Sequence, residues 1–422
     1  MRRHILGTAI CAVTAVTGMT ATQAGFVNDS QVQLKLRNFY LDRQYAEAPQ
    51  NNWGSWSQGA MLDVKSGYAD LGGVKVGVDV LAQGAIKLKQ LHDKPDFVLP
   101  YNRNNTGDKA KSSFGKIGAT LKAKVSETEL KIGEVLPVSP VLHFDPSRQL
   151  LTTFTGAWLE SKDIKDAKLT LAYINKINTR YDSDYIDLSL FNPPSSYDSS
   201  YPNTQKSDGM LIAGVDYQFT KEFAGSYWFA DVKDVYKQNY VGLTYNTQLN
   251  DQAKLMTYAR YFDNSNSGDS RKTKDIDNQA VSLSAKVSYG SHTAGVGYQQ
   301  MFGETAFPTL GGWVPQPYLV NWGVATFTNA KEKSWNINYT YDFAGLGAKG
   351  LTLTGIYFKG SDAEVAGKTD QNSTEWNAIV NYTVPEGPLK GVGIQGMYID
   401  VDYDWKTDLK EYRIATTYTY KF

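Results

Sequence analysis

Stretches that alternate strictly between apolar and polar residues recur along the chain. Val74, Val76, Val78, Val80 and Ala82 share one side of the first clear case, with Lys75, Gly77, Asp79 and Gln83 on the other. Val281, Leu283, Ala285, Val287 and Tyr289 stand opposite Ser282, Ser284, Lys286 and Ser288. Trp335, Ile337, Tyr339, Tyr341 and Phe343 stand opposite Asn336, Asn338, Thr340 and Asp342. A period of two means β-strands with two chemically different faces. Read this way, the chain predicts strands at 30–43, 55–69, 73–89, 114–125, 128–135, 156–162, 168–180, 209–220, 224–234, 239–249, 253–263, 279–289, 292–302, 334–344, 351–359, 373–384, 392–402 and 411–422. That is about eighteen, an even number, which puts both termini on one side.

A soluble sandwich also alternates, but three features argue for a barrel. The segments run to roughly 9–14 residues, where sandwich strands average about 5–6. Short turns (69–73, 126–127, 221–223, 250–252, 345–350) alternate with long loops (90–113, 136–155, 182–208, 263–278, 303–333). Short turns at one end and long loops at the other mark an outer-membrane barrel, with the termini at the periplasmic end. Tyr and Trp gather at strand ends, where an interfacial girdle belongs. A barrel of about 16–18 strands is wide enough for an aqueous channel.

Composition sharpens this. The chain has 422 residues, with 43 basic and 43 acidic side chains, so no basic surface favours a nucleic-acid partner. Aromatics make up 13%, with 28 Tyr and 9 Trp, which excludes a hyper-charged disordered chain. Beyond the first two dozen residues no uncharged apolar run reaches about 18 residues, which excludes a helical membrane protein. Mean hydropathy is −0.40, as expected where a water-filled lumen and polar loops outweigh a thin lipid-facing band.

The N-terminus reads as a signal peptide over 1–24. Arg2 and Arg3 supply positive charge, Ile5 to Val16 an apolar stretch, and Thr22-Gln23-Ala24 a small-residue end. The single domain is then 25–422, which holds no cysteine, because Cys11 lies in the signal. An exported chain this long without a disulfide needs another source of stability, and a closed hydrogen-bonded barrel is one. In the last strand Tyr412, Ile414, Thr416, Tyr418, Tyr420 and Phe422 alternate up to a terminal aromatic carboxylate. That resembles the signal that bacterial outer-membrane barrels present to their insertion machinery.

Several motifs in order resemble the OprD family of substrate-specific outer-membrane channels. They are Leu36-Arg37-Asn38-Phe39-Tyr40-Leu41-Asp42-Arg43, Trp56-Ser57-Gln58-Gly59 with Ser66-Gly67-Tyr68, and Lys116-Ile117-Gly118-Ala119-Thr120 with Thr128-Glu129-Leu130-Lys131-Ile132-Gly133. Pro140-Val141-Leu142 with Asp145 and Arg148, Phe307-Pro308 through Asn321, and Gly387-Pro388-Leu389-Lys390-Gly391 complete the series. The resemblance implies one pore per barrel, as a monomer or a loose trimer, set in outer-membrane lipid and lipopolysaccharide. Its third loop (136–155) and seventh loop fold inward, a basic ladder lines the wall, and small carboxylate-bearing solutes pass. No cofactor, metal or catalysis is implied.

Alternation places eighteen basic residues on lumen faces: Lys35, Arg37, Lys65, Lys75, Lys87, Lys89, Lys116, Lys122, Lys124, Lys131, Lys168, Lys176, Arg180, Lys254, Arg260, Lys286, Arg413 and Lys421. The acidic set is Asp63, Asp79, Glu127, Glu129, Asp216, Asp231, Asp342 and Glu375. Lipid-facing charge costs about 2–4 kcal/mol at the midplane, so strand charges turn inward or sit at a rim. A positive wall concentrates anions; equally, many of these side chains pair with neighbours and touch no solute. Arg43 and Arg413 match family arginines on the first and last strands, which adjoin at closure. A guanidinium fork grips a carboxylate bidentately; the alternative is a structural ion pair with a strand neighbour. Gln395 and Met397 stand where the family carries arginines on its seventeenth strand, which weakens the ladder.

In the third loop Pro137, Pro140 and Pro146 stiffen the backbone. His143, Asp145 and Arg148 either reach the solute path or, for the last two, pair with each other. The run from Gln149 to Thr155 departs from the family and leaves the loop's onward path open. Trp313, Tyr318 and Asn321 are the seventh-loop candidates, with packing against the wall as their other reading. The run 263–269 lacks the bidentate Glu of a calcium loop. There is no Gly-x-Ser-x-Gly or His-Glu-x-x-His, and only His92, His143 and His292 follow the signal, which argues against a barrel lipase or protease. A weakly selective general porin stays open as the alternative to a selective channel.

Overall fold

The computed structural model describes residues 24–100, 110–191, 206–268, 275–312, 314–365 and 367–422. The expected signal peptide lies outside them except for Ala24, where a short helix, α1 (Ala24–Asn28), begins. Eighteen antiparallel strands form the wall. They are β1 (Gln31–Tyr45), β2 (Trp53–Lys65), β3 (Lys75–Gln90), β4 (Ser113–Val125), β5 (Thr128–Val135) and β6 (Thr153–Ser161). Next come β7 (Ala167–Asn178), β8 (Met210–Gln218), β9 (Phe223–Val232), β10 (Tyr236–Gln248), β11 (Ala253–Asn266) and β12 (Asp277–Tyr289). The last are β13 (His292–Phe302), β14 (Lys333–Asp342), β15 (Leu351–Val365), β16 (Lys368–Thr383), β17 (Gly393–Tyr403) and β18 (Leu409–Lys421). Each strand pairs with the next, and β1 pairs with β18 from Gln33↔Lys421 to Tyr45↔Leu409. Closure pairs both sides of every strand and leaves no open edge.

The strand count matches the alternation pattern. Strand ends differ: β6 starts at Thr153 and β15 runs on to Val365, both beyond the predicted limits. At the loop end both faces leave the apolar environment, so alternation fades while the ladder continues. For the same reason the loop end is less uniform than expected. Four of its connections are short: 46–52, 233–235, 366–367 and 404–408.

The outer face carries the apolar half of each strand, with Ile117, Leu121, Ile132, Leu171, Val296, Ile337 and Ile414 all exposed. Inside, two buried clusters show how loops enter the barrel. Val141 and Leu142 of the third loop and Phe307, Leu310 and Leu319 of the seventh pack on Phe154, Ile174, Trp228 and Phe262. Val98 and Leu99 of the second loop and Leu150 of the third pack on Phe39, Leu41, Trp53 and Phe114. The second loop is therefore also folded inward, which the sequence pattern did not anticipate.

Two register shifts correct the lumen assignments. Between Trp56 and Ser57 the β2–β3 pairing slips, so Lys89 lies opposite Trp56 on the outer face. Between Thr155 and Gly156 the β6–β7 pairing slips, so Lys176 pairs with Thr155 and turns outward to Asp187. Asp231 also faces outward, opposite the exposed Leu211, in a ladder without any shift. A bulge inserts one residue and moves the following side chains to the other face.

Candidate functional site

The loop-side half of the lumen encloses a cavity of about 540 Å³. Its wall comes from β1 and β15–β18, and its floor and sides from the third, fourth and seventh loops and the short 404–408 connection. Arg43, Arg148, Arg180 and Arg413 line it together with His143 and Asp145. Barrel closure brings the first pair together: Leu41 pairs with Arg413, and Arg43 pairs with Glu411. Glu411 is fully buried between them. Arg43 donates Nε to its carboxylate at 2.5 Å, and Arg413 donates Nε to the other oxygen. Both arginines line this cavity and also make a strand-neighbour ion pair with Glu411. Arg43 is further held over the Trp53 ring, 4.4 Å from its centroid.

Arg37, on the same face of β1, donates Nη1 to the Pro146 carbonyl at 2.9 Å and so ties the third loop to the wall. Asp145 does not pair with Arg148. Its carboxylate takes Arg180 from the base of the fourth loop and the Ser147 amide at 2.7 Å. Burial alone would raise the Asp145 carboxyl; Arg180, Ser147 and Arg148 override it and hold the group below its usual range. Arg148 is left with only long bonds to its own neighbour, to Ser147 O at 3.3 Å and Ser147 Oγ at 3.4 Å. Its Nε has no partner, and among the described residues no carboxylate pairs with it. Burial and the Arg413 and Arg180 charges push its guanidinium well below the ordinary value. Five guanidiniums at the third loop thus share the carboxylates of Asp145 and Glu411, while Glu332 and Glu375 line the far side of the cavity.

The loop's onward path is set by Gln149, which is fully buried. Its Nε2 donates to Arg37 O at 2.9 Å. A Cβ on Gly59 would fall 2.0 Å from that Nε2, so any side chain there would displace the Gln149 amide. His143 lines the cavity, stacked on Phe144 with its Nδ1 2.6 Å from the Phe144 carbonyl.

Across the cavity two acids serve the seventh loop. Glu375 accepts the amides of Val324 and Ala325 at 3.2 and 2.6 Å and Asn377 Nδ2 at 2.8 Å. Glu332 accepts the Asn329 amide and side chain at 3.0 and 2.8 Å. Burial pushes the Glu332 carboxyl up to about 7. Lys406 lines the same cavity, and burial, aided by Arg43, lowers its ammonium to about 8.

The remaining seventh-loop candidates do not line the cavity of the third-loop arginines. Asn321 is fully buried, donating to Ser334 Oγ at 2.8 Å and accepting from Asn336 Nδ2 at 2.7 Å. It anchors the loop to β14 and has no exposed surface for a solute. The Tyr318 carbonyl accepts Arg260 Nη1 at 2.8 Å, and the guanidinium lies 4.9 Å from the Tyr318 ring. Trp313 falls outside the described residues.

A second cavity of about 560 Å³ opens on the turn side of the third loop. Its lysines are paired: Lys122 with Asp79 at 2.6 Å, Lys131 with Glu129 at 3.1 Å, and Lys168 with Asp216 at 3.0 Å. Lys286 is different. It faces the lumen from β12, opposite Gly295 and Met256, with no ion pair or hydrogen bond among the described residues.

Four important groups escaped the sequence reading. Glu411 was legible in principle, since it shares the inner face of β18 with Arg413 two residues on. The Arg180 partnership, the Glu375 anchor role and the inward Asp96 of the second loop carry no local signal.

Comparison with known proteins gives a consistent picture. A family profile described as "outer membrane porin, OprD family" matches residues 24–422. The chain is 29% identical over 413 residues to the porin-like protein GalP of Pseudomonas putida, covering 96% of each. It is similar to the solved structure of OccK9 (OpdG) of Pseudomonas aeruginosa, with a TM-score of 0.88, 30% identity, 94% of this chain and 100% of that one. It is also similar to OpdK of Pseudomonas aeruginosa solved with vanillate, with a TM-score of 0.86, 29% identity, and again 94% and 100% coverage.

Proposed function

The chain belongs to the OprD family of outer-membrane porins, and from that premise we propose that it passes small carboxylate-bearing solutes through the arginine-lined constriction. It sits in the outer membrane, and its relatives are channels for small molecules. The observation that carries the reading is the surplus of buried guanidinium at the third loop, with Arg148 in no ion pair among the described residues. A carboxylate entering the cavity meets fixed donors in a place poor in water, where such contacts are stronger than in bulk. Flow follows the solute gradient, and selectivity comes from the constriction and its field. The relative solved with vanillate, itself a carboxylate, agrees with this chemistry.

A second reading, a weakly selective porin, is favoured by Gln395 and Met397 on the inner face of β17 and by neutralisation at Glu411. Liposome uptake of monocarboxylates, cationic amino acids and neutral sugars separates the two. Faster carboxylate entry, lost in Arg413→Ala, supports the selective channel. Equal rates for all three classes support the weakly selective one.

A further inference from the structure

We propose that Lys116 is a positioning residue of the constriction: it clamps the turn from which Arg180 reaches Asp145, and through that pair it sets the charge an anion meets there. The proposal rests on the carboxylate reading only in treating the third-loop cavity as part of the solute path.

Alternation assigns Lys116 to the lumen wall, but the fold puts its ammonium to a different use. The residue is buried, at 8% exposure. From β4 its Nζ donates to Thr179 O at 2.9 Å, to Asn178 Oδ1 at 3.2 Å and to Asn178 O at 3.4 Å. An ammonium has three protons, and three carbonyl oxygens take them, which leaves no donor for a solute. A neutral side-chain amide has two protons and could not serve all three oxygens. Asn178 and Thr179 are themselves fully buried, so water does not replace these bonds.

The three oxygens lie where the chain leaves β7 for the fourth loop. Asn178 passes the contact on, since its Nδ2 donates to Ser183 O at 3.3 Å. The Asp182 amide donates to Thr179 O at 3.3 Å. Lys116 thus sits at the root of a closed turn over 178–183. Arg180 stands on that turn, one residue beyond the clamped Thr179 carbonyl. Its Nη1 reaches the Asp145 carboxylate, and Ser147 Oγ at 3.1 Å, on the third loop. The contacts run without a gap from the wall to the fourth loop and on to the third. Hydrogen bonds to ionised groups, which make up this chain, are roughly twice as strong as neutral ones.

Arg180 and Asp145 both line the cavity. While the turn is clamped, their charges cancel. With the clamp released, Arg180 is no longer held against Asp145. The carboxylate stays with the third loop and repels an entering anion.

The test is the anion-to-cation permeability ratio, read from reversal potentials of the intact channel in planar bilayers. Lys116→Met keeps the length of the side chain and removes every proton it donates. The ratio should fall by roughly two-fold. Lys116→Met added to Arg180→Gln should leave the ratio where Arg180→Gln alone puts it, since the residue being positioned is gone. An equal fall in both backgrounds would be the field of the Lys116 charge itself, and it overturns the proposal. So does an unchanged ratio with lower thermal stability, which is what a purely structural role predicts. Asn178→Ala loosens the same turn without altering any charge, and it should lower the ratio in the same direction. If Lys116→Met does not fold to a heat-modifiable barrel, Asn178→Ala decides, and an unchanged ratio there overturns the proposal. Equal liposome entry of carboxylates, cationic amino acids and sugars would sink the carboxylate reading, while the response of the ratio to Lys116 still decides this one. Preferred carboxylate entry with a ratio insensitive to Lys116 would sink this proposal alone.

Discussion

Asp145 of the third loop is closed onto Arg180 of the fourth, so one constriction loop is fastened by the root of another. Both side chains are buried, at 2% and 6% exposure, which makes the pair a joint with no water to replace it. Asp145→Asn should cost of order 3–5 kcal/mol locally, because it strands a buried guanidinium. Because the Asp145 carboxyl is held below its usual range, the joint is at full strength above about pH 4 and fails as pH falls further. Single-channel records should show added open-channel noise in the variant at neutral pH, and in the wild type only in acid.

Glu411 neutralises two arginines at the barrel seam. Glu411→Gln should raise anion preference, since Arg43 and Arg413 lose their shared counter-charge. It should also lower the denaturant midpoint, by the same order of 3–5 kcal/mol. Reversal potential and unfolding are measured separately, and a variant with an unchanged reversal potential would remove both arginines from the solute path.

Glu332 and Lys406 give the cavity a pH response near neutrality. The Glu332 carboxyl lies at about 7 and the Lys406 ammonium at about 8. Below both values the acid is neutral and the lysine charged; above both the acid is charged and the lysine neutral. The cavity therefore loses positive charge as pH rises from 6 to 9, and anion preference should fall over that range. Glu332→Gln should remove the lower part of the response. The same linkage has a stability side. Glu332 is raised in the folded state, so its contribution is greatest at low pH and is lost as pH rises from its unfolded value to about 7.

Asn321 holds the seventh loop to the wall. Asn321→Ala removes the donor to Ser334 Oγ and the acceptor for Asn336 Nδ2, at about 1–3 kcal/mol. The expected outcome is a more mobile loop, seen as faster proteolysis at the loop end, with reversal potential unchanged. A shift in reversal potential would instead place the side chain in the solute path.

Lys286 tests the field without the pairing. It has no partner to strand, so Lys286→Gln should leave the unfolding midpoint within about 0.5 kcal/mol of wild type. Anion conductance should fall modestly, because one lumen charge is gone. A marked loss of stability would show that Lys286 is structural.

Alternation by itself determined the architecture. Each strand has to face lipid on one side and water on the other, so the period of two is enforced at every turn of the wall, and strand number and closure follow. Arg43 and Arg413 could be placed on one wall because closure makes the first and last strands neighbours. What alternation cannot carry is the interior. Lys89 and Lys176 changed faces because a bulge costs little at the loop end, where neither face meets lipid. Asp145 chose Arg180 over Arg148 because loops entering the lumen meet side chains that are distant in sequence. Glu375 drew its role from buried amides whose positions no residue pattern records. The wall is dictated by its two solvents and is legible residue by residue. The constriction is dictated by which loops pack together inside it, and only the tertiary structure decides that.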